Sequence, residues 1–199
     1  MILDEYRTLF IAATLGLILV AASPTLGFVL TFPGGERFSE LWVLGPGHMA
    51  EDYPFDVKVN ETYKVFVGVG NSMGSSCYYL IYVKFRNQTE SLPNATAGTP
   101  SPLPALYEYR FFVKDSGIWE APLEFSFSQI SISENRCLVE TLTINDVAFR
   151  VDKLVTWDLN YTGFYYQVFI ELWRYNVESE VFEFHNRFVS IWLNMTGNV

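Results

Sequence analysis

The sequence is poor in the residues that most often carry catalysis or bind metals. Its 199 residues include only two histidines and two cysteines. No H-E-x-x-H, P-loop or G-x-G-x-x-G motif is present, and no G-x-S-x-G sequence stands in the strand–turn–helix context of a hydrolase nucleophile. We therefore expect a non-enzymatic protein with no catalytic residue, no metal ligand and no cofactor.

Positive charge is scarce as well. Thirteen Lys and Arg face 22 Asp and Glu, which gives a net charge of −9. Nucleic acids and anionic lipid surfaces select for basic proteins, so this balance disfavours both as ligands. We expect no nucleic-acid partner.

The amino-terminal part lacks charge of either sign between Thr8 and Pro33. Residues 9–32 form an apolar run of 24 residues, which as a helix would extend roughly 36 Å and exceed the hydrocarbon thickness of about 30 Å. We predict a single transmembrane helix over residues 9–32, preceded by a short cytoplasmic segment over residues 1–8. The lipid bilayer would then be one partner of the chain.

Two other interpretations of this run remain open. The small residues Ala21, Ala22 and Ser23 resemble a signal-peptide cleavage site, although Pro24 would follow it and the apolar run resumes afterwards. A secretory apolar region is typically about 7–15 residues long, shorter than this one. The third interpretation is a pilin-like assembly helix.

Five Asn-x-Thr sequons indicate which side of the membrane the remaining chain occupies. Such sequons accept N-linked glycans in exported proteins, and all five lie at predicted turns or strand ends, where a glycan could be accommodated. We predict a cell-membrane protein with an extracellular carboxyl-terminal domain, glycosylated at Asn60, Asn87, Asn94, Asn160 and Asn194.

The two cysteines agree with export. An even, minimal number in an exported domain is typical of one disulfide. A Cys77–Cys137 bond would close a loop of about 60 residues and stabilise the fold by roughly 4 kcal/mol. We predict this bond, with two separate buried thiols as the alternative.

Alternation of apolar and polar residues dominates the sequence after the apolar run. Roughly nine short segments show this period, which is typical of β-strands. In the last segment Phe182, Phe184, Phe188 and Trp192 share one face, and His185 lies on the opposite, solvent-facing side. We therefore predict a mainly β fold, with the transmembrane helix followed by an antiparallel, immunoglobulin-like β-sandwich over residues 35–199.

One segment interrupts this alternation. Residues 91–105 are rich in Pro, Thr, Ser and Ala, and they contain the sequon at Asn94. Long connections of this composition are often functional or disordered. The segment could separate two small domains, but the residues before it supply too few strands for a sandwich. We predict one domain with a long exposed Pro-rich loop.

Three short motifs resemble a known family. Residues 38–46 read FSELWVLGP, residues 50–54 read AEDYP and residues 65–71 read VFVGVGN. Over residues 38–85 the chain resembles the archaeal membrane-protein family called domain of unknown function 1616 (DUF1616), whose members carry F-T-E-F-Y-I-L-G, E-D-Y-P and a strand ending in V-G-I-V-N. Here Trp42 replaces the usual Tyr, and Gly70 interrupts the last motif. The resemblance implies an archaeal source and an envelope location, without an activity, catalytic residue or cofactor.

These observations favour a structural or adhesive function. We expect a membrane-anchored envelope protein that packs against other envelope proteins or its own copies, because no cluster of titratable residues suited to catalysis is visible. One alternative is an accessory subunit of a membrane enzyme or transporter. A second is a surface receptor for a solute or sugar, which would bind through the Pro-rich loop and exposed tyrosines.

Overall fold

The computed structural model of the protein describes residues 2–30 and 36–196, except for the side chains of residues 2–5, 8 and 22–30. The chain divides into two compact units, Met1–Arg37 and Phe38–Val199. The first contains helix α1 (Ile2–Leu30). Within the described residues the second contains ten strands: β1 (Phe38–Leu44), β2 (Asp56–Val57), β3 (Thr62–Ser72), β4 (Cys77–Asn87), β5 (Tyr107–Val113), β6 (Gly117–Ser133), β7 (Arg136–Ile144), β8 (Val147–Thr156), β9 (Tyr165–Asn176) and β10 (Val181–Met195).

The structure contradicts the membrane span predicted for residues 9–32. In the described part of the chain, no helix combines the length and apolar character needed to cross a bilayer. Residues 31 and 32 lie outside the described residues. The single-pass anchor is therefore withdrawn.

The second unit is mainly β and consists of two five-stranded sheets. Sheet I has the order β1-β3-β6-β7-β8, and sheet II has the order β2-β10-β9-β4-β5. Every neighbouring pair is antiparallel except β2 and β10, which run parallel through Asp56–Val57 and Asn194–Met195. The predicted purely antiparallel arrangement is wrong at this edge, because a strand of two residues gave no alternation to read from the sequence.

The core lies between the two sheets and explains the alternating sequence. Val65, Val67 and Val69 of β3 point inward from sheet I, and alternate residues of β4 and β9 point inward from sheet II. Successive strand residues face opposite sides, so one apolar residue in two is enough to fill this layer. Burial of these side chains is the main driving force for the sandwich.

Tyr166 ties the two sheets together inside this core. Its single O–H proton is shared between the carbonyl oxygens of Cys137, at 2.7 Å, and Lys153, at 3.0 Å. Burial raises the pKa of Tyr166, because the phenolate would be costly in the apolar interior. The phenol therefore stays a donor, and it satisfies two carbonyl groups of sheet I from the central strand of sheet II.

A polar network links the sheets a second time. The hydroxyl of Ser39 lies 2.6 Å from that of Tyr79, which donates to Asn71 Oδ1 at 3.0 Å, and His185 Nε2 lies 3.0 Å from Ser39 Oγ. The prediction that His185 faces solvent is wrong. The phenylalanine face of β10 is the outer one, since Phe182 and Phe184 pair beside Tyr175 and Trp173, whose side chains lie outside the core.

Candidate functional site: the outer face of sheet II

Strand β9 organises the outer face of sheet II. It lies between β10 and β4. Its even-numbered residues from Tyr166 to Leu172 enter the core, and its odd-numbered residues from Tyr165 to Tyr175 face outward. A strand that is apolar on both faces is typical of a central strand or of a contact surface. Strand β9 is central. Its outward-facing residues form a row along the strand, and three parts of this row have different neighbours.

The middle of this row is covered by the Pro-rich segment. Lys84 Nζ and Glu171 Oε2 form a buried ion pair of 2.9 Å. Ser101 of the segment closes the arrangement, because its N–H donates to Glu171 Oε1 at 2.8 Å and its carbonyl accepts from Lys84 Nζ at 2.8 Å. Trp173 Nε1 adds a donor to Glu171 at 3.1 Å. A buried ion pair is tolerated only when its remaining polar sites are satisfied, as they are here.

The Pro-rich segment is an exposed loop over most of its length, and two of its residues anchor it on sheet II. Pro93 and Ser101 are buried, while residues 96–99 remain exposed. Asn94 and Thr99 exchange two backbone hydrogen bonds, of 2.8 and 3.0 Å, so the exposed part is itself a closed turn. The segment is attached to sheet II at Ser101, and most of its other residues remain exposed.

A partly exposed aromatic cluster lies where β9 ends. We call Tyr78, Phe112, Tyr175 and Phe182 the aromatic platform. The rings of Tyr78 and Phe112 stack at 4.2 Å, Phe182 lies 5.0 Å from Tyr78, and Tyr175 lies 5.3 Å from Phe182. Phe112 remains 73% exposed although it is one of the largest apolar side chains. These rings form a continuous apolar surface rather than isolated exposed residues.

The border of the aromatic platform contains both apolar and charged side chains. Val177 of the β9–β10 connection is exposed beside it, and so is Val181, the first residue of β10. Arg110 lies over the Phe182 ring at 5.7 Å, and it also pairs with Glu108. Aromatic residues and Arg are enriched in protein interfaces, and apolar patches with polar rims mark interaction sites. The arrangement is suited to a protein contact.

Sequence reasoning missed Phe112, although a signal for it exists. On β5 the residues Glu108, Arg110 and Phe112 share one face. A large aromatic residue on an otherwise charged strand face has no place in the core, so it marks a surface contact. The neighbouring Phe111 of the same strand is buried, and it hides this signal in a simple apolar count.

The five predicted glycosylation residues differ in accessibility. Asn60, Asn94 and Asn160 are exposed in turns. Asn87 and Asn194 are half-buried, and their Nδ2 atoms donate hydrogen bonds to Leu154 O at 3.2 Å and to Asp56 Oδ1 at 2.9 Å. Since a glycan attaches at Nδ2, the first three positions are the better acceptors.

The predicted Cys77–Cys137 disulfide is wrong, because both thiols are free and buried. Cys77 begins β4, whereas Cys137 lies beneath Tyr166, which pairs with Asn87 at the far end of β4. Ten strand residues correspond to about 33 Å, and a disulfide requires Cα atoms within about 7 Å. The two cysteines therefore occupy opposite ends of the sandwich.

The histidines take structural positions. His48 stacks on Phe66 at 3.6 Å and lies 2.7 Å from Glu120, half-exposed on sheet I. Burial, with Arg174 and Arg187 nearby, lowers the pKa of His185 to about 4, so this residue is a weak base beside a buried Ser39. Among the described residues, no group of three His, Cys, Asp or Glu side chains is placed to hold a metal ion.

Residues 70–74 have the spacing G-x-S-x-G of a hydrolase nucleophile. A nucleophile elbow places its serine in a sharp turn between a strand and a helix. Here Ser72 ends β3 and the chain turns into strand β4, without a helix. Asn71, the residue before it, holds this turn through hydrogen bonds from its Nδ2 to Ser75 O and Val113 O, at 2.8 and 2.9 Å. Residues 70–74 therefore form part of the connection between two strands.

A family model described as a domain of unknown function, DUF1616, matches residues 33–138, more than half of the 199-residue chain. The match extends the resemblance found over residues 38–85. No curated protein sequence matches the chain.

Solved structures with similar folds come from several organisms. The CARDB domain of a Pyrococcus furiosus protein, in complex with di-metal ions, is 10% identical over 82% of this chain and 91% of that chain, with a TM-score of 0.42. A mutant β-glucosidase from Listeria innocua, in complex with laminaribiose, is 10% identical over 85% of this chain but only 18% of its own, with a TM-score of 0.44. A PapD-like domain of human CEP192 is 10% identical over 83% and 91%, with a TM-score of 0.28. None of these likenesses bears on the function of this chain.

Proposed function

The chain belongs to the DUF1616 family, and we propose that its β-sandwich is a non-enzymatic adhesive or assembly module of the cell envelope. The observation that carries this proposal is the aromatic platform, with Phe112 73% exposed at its outer side. A surface of this kind is costly to leave in water and becomes favourable when a partner covers it. The partner is a second copy of the chain or another envelope protein.

The positions of the titratable residues support a non-enzymatic role. Lys84 and Glu171 hold the Pro-rich segment, and His185 serves the network between the sheets. A catalytic acid or base needs access to a substrate and a pKa near the working pH. Lys84 and Glu171 lack that access, and the lowered pKa of His185 makes it a poor base at neutral pH.

An extracellular location is part of the same proposal. It is supported by the exposed sequons at Asn60, Asn94 and Asn160. The test is the intact mass of the native protein before and after deglycosylation. We expect glycans on these three positions and little on Asn87 or Asn194. Unmodified Asn at all five positions would remove the support for an extracellular domain.

The assembly role is tested by one substitution on each outer face of the sandwich. Phe112→Glu places a charge in the aromatic platform, and Ile118→Glu places one on sheet I at a residue that is 72% exposed, the matched control. We expect the full chain to self-associate in sedimentation velocity, Phe112→Glu to abolish association, and Ile118→Glu to leave it unchanged.

Three outcomes separate the possibilities. Loss of association in both variants would mean that general apolar stickiness, rather than the aromatic platform, drives it. A wild-type monomer that cross-links through the platform to one multi-span protein in a fixed ratio would favour the accessory-subunit function. A monomer without any such partner would contradict the assembly role.

A further inference from the structure

A second feature lies at the opposite end of β9 from the aromatic platform. A cleft of about 800 Å³ opens there, lined by Phe55, Gln88, Asp158, Tyr161, Tyr165 and Trp192. We call it the aromatic cleft. Tyr165 and Tyr175 are ten strand residues apart, about 33 Å, so the cleft is a separate surface from the one proposed for assembly.

The rings of the aromatic cleft are arranged around Tyr165, which is largely buried. The ring centroids of Phe55, Tyr161 and Trp192 lie 6.0, 6.3 and 6.4 Å from that of Tyr165. Tyr161 and Trp192 stand nearly perpendicular to it, at 89° and 85°. All three outer rings remain exposed, so π-faces are accessible to a ligand.

The loop that carries Tyr161 is held in place by Asp158. Asp158 Oδ1 accepts hydrogen bonds from the N–H groups of Asn160 and Tyr161, at 2.8 and 3.1 Å. The backbone of Asp158 also donates to Gly163 O at 2.9 Å and accepts from Thr162 N at 2.8 Å. Tyr161 is therefore presented by a closed turn, although its side chain is 75% exposed.

The carboxylate of Asp158 is the one formal charge that lines the aromatic cleft. Its second oxygen has a single long contact, 3.4 Å to Gln88 Nε2. Across residues 36–196 no Lys, Arg or His forms an ion pair with it. A carboxylate can accept up to about four hydrogen bonds, so Asp158 keeps both charge and acceptor capacity for a ligand.

We propose that the aromatic cleft binds a small organic ammonium ion. The negative faces of Tyr and Trp rings attract such a cation, and a carboxylate beside them compensates its charge. The net charge of −9 disfavours anionic ligands. A neutral sugar could stack on the same rings and donate a hydroxyl hydrogen bond to Asp158, but it would leave the negative charge of this carboxylate uncompensated. This binding is independent of the assembly role proposed above.

The test compares two probes of equal shape. Choline and 3,3-dimethylbutan-1-ol differ in the charged nitrogen, which is a carbon in the alcohol. Calorimetric titration of the full chain should show choline binding at least about tenfold more tightly, the factor that a desolvated cation–π contact supplies. Equal affinity, tighter binding of maltose than of choline, or no saturable binding of choline would overturn the proposal.

Two variants locate the site. Asp158→Asn keeps an acceptor for the Asn160 and Tyr161 N–H groups but removes the charge, so choline affinity should fall about tenfold while the alcohol is unaffected. Asp146→Asn removes an exposed carboxylate from the β7–β8 turn and should change neither. Trp192→Ala should weaken both probes. An equal effect of the two Asp variants would show that only net charge matters.

Discussion

Trp42 stands where the motif that the chain resembles has Tyr, and it packs over two glycines of β3. Trp42 pairs directly with Gly68 across β1 and β3. A Cβ atom on Gly68 would lie 2.2 Å from Trp42 Cε2, far inside van der Waals contact, and one on Gly70 would lie 2.7 Å from Glu40 Oε2. The glycines of the VFVGVGN motif are thus explained by the side chains of β1 that cover them.

Gly68→Ala should destabilise the sandwich by about 1–3 kcal/mol, the usual range for forcing an extra group into a packed site. Urea unfolding of the purified chain measures this change. Gly47→Ala is the matched control, because a Cβ there meets nothing within 4 Å. In a Trp42→Ala background the cost of Gly68→Ala should largely vanish. A cost that persists there would mean that the strand backbone, and not the indole ring, requires glycine.

His185 makes the stability of the sandwich sensitive to acid. Burial lowers its pKa in the folded state to about 4, with Arg174 and Arg187 adding to the effect, while the unfolded chain titrates near 6.5. Between these values unfolding takes up a proton, so stability is complete above about pH 6.5 and falls as the pH drops toward 4. Allowing for partial exposure, the loss is about 1–3 kcal/mol.

The pH dependence is checked with His185→Gln, which can still hydrogen-bond to Ser39. Free energies of unfolding from pH 5 to 7 should rise more steeply with pH for the wild type than for the variant. This window limits the contribution of carboxylates, which titrate mainly below it. Parallel curves would show that His185 is accessible to protons in the folded protein.

At the scale of elements, Ser101 attaches the Pro-rich segment to the buried ion pair of Lys84 and Glu171. Lys84 and Glu171 lie on neighbouring strands of sheet II, and Ser101 bonds to both through its backbone. The side chain of Ser101 closes the segment on itself, since its hydroxyl donates to Ser91 O at 2.8 Å and accepts from Leu103 N at 3.3 Å. The attachment to sheet II depends on the two charged residues beneath it.

Glu171→Gln or Lys84→Met should each destabilise the protein by about 3–5 kcal/mol, because either change leaves its partner buried without a counter-charge. The double variant Lys84→Met/Glu171→Leu should cost less than the sum of the single changes. Urea unfolding measures the energies, and limited proteolysis within residues 91–104 reports release of the segment. Additive costs, or a segment that resists cleavage in every variant, would contradict this attachment.

The sequence predicts those features of the strands that leave a local pattern of apolar and polar residues. Period-2 alternation located strands such as β3 and β4, because alternate burial leaves a direct trace in the sequence. It could not identify the outward face of β10, where Phe182 and Phe184 face outward and the register shifts between Phe184 and Arg187. Alternation alone assigns the apolar side of a strand to the core. On β10 the aromatic side faces outward, because it packs beside the outward aromatic residues of β9.

The candidate surfaces were less predictable for a related reason. The aromatic platform unites residues of four strands, and the aromatic cleft unites Phe55, Gln88, the 158–163 turn and Trp192. No sequence spacing connects these positions, because strand order in sheet II, and not chain order, brings them together. The alternation of β9 places Tyr165 and Tyr175 on one face, but the rings that they contact depend on the topology.

At the scale of the whole molecule, the positions of the two cysteines determine whether the stability of the fold depends on redox conditions. Cys77 and Cys137 are buried at opposite ends of the sandwich, and burial raises the pKa of the Cys137 thiol, which further lowers its reactivity. Their even number was a misleading signal, because the count contains no information on distance. The structure therefore predicts a fold that is indifferent to redox conditions.

A thiol-reactive reagent should label neither cysteine rapidly in the folded chain and both in urea, since Cys137 is fully buried and Cys77 nearly so. A reducing agent should leave the unfolding midpoint unchanged. A disulfide closing a loop of about 60 residues would instead contribute roughly 4 kcal/mol, which reduction would remove. Cys77→Ala and Cys137→Ala serve as controls, each giving one labelled thiol in urea. A midpoint that falls on reduction in the wild type but not in these variants would restore the disulfide and require the two ends of the sandwich to lie much closer than they do.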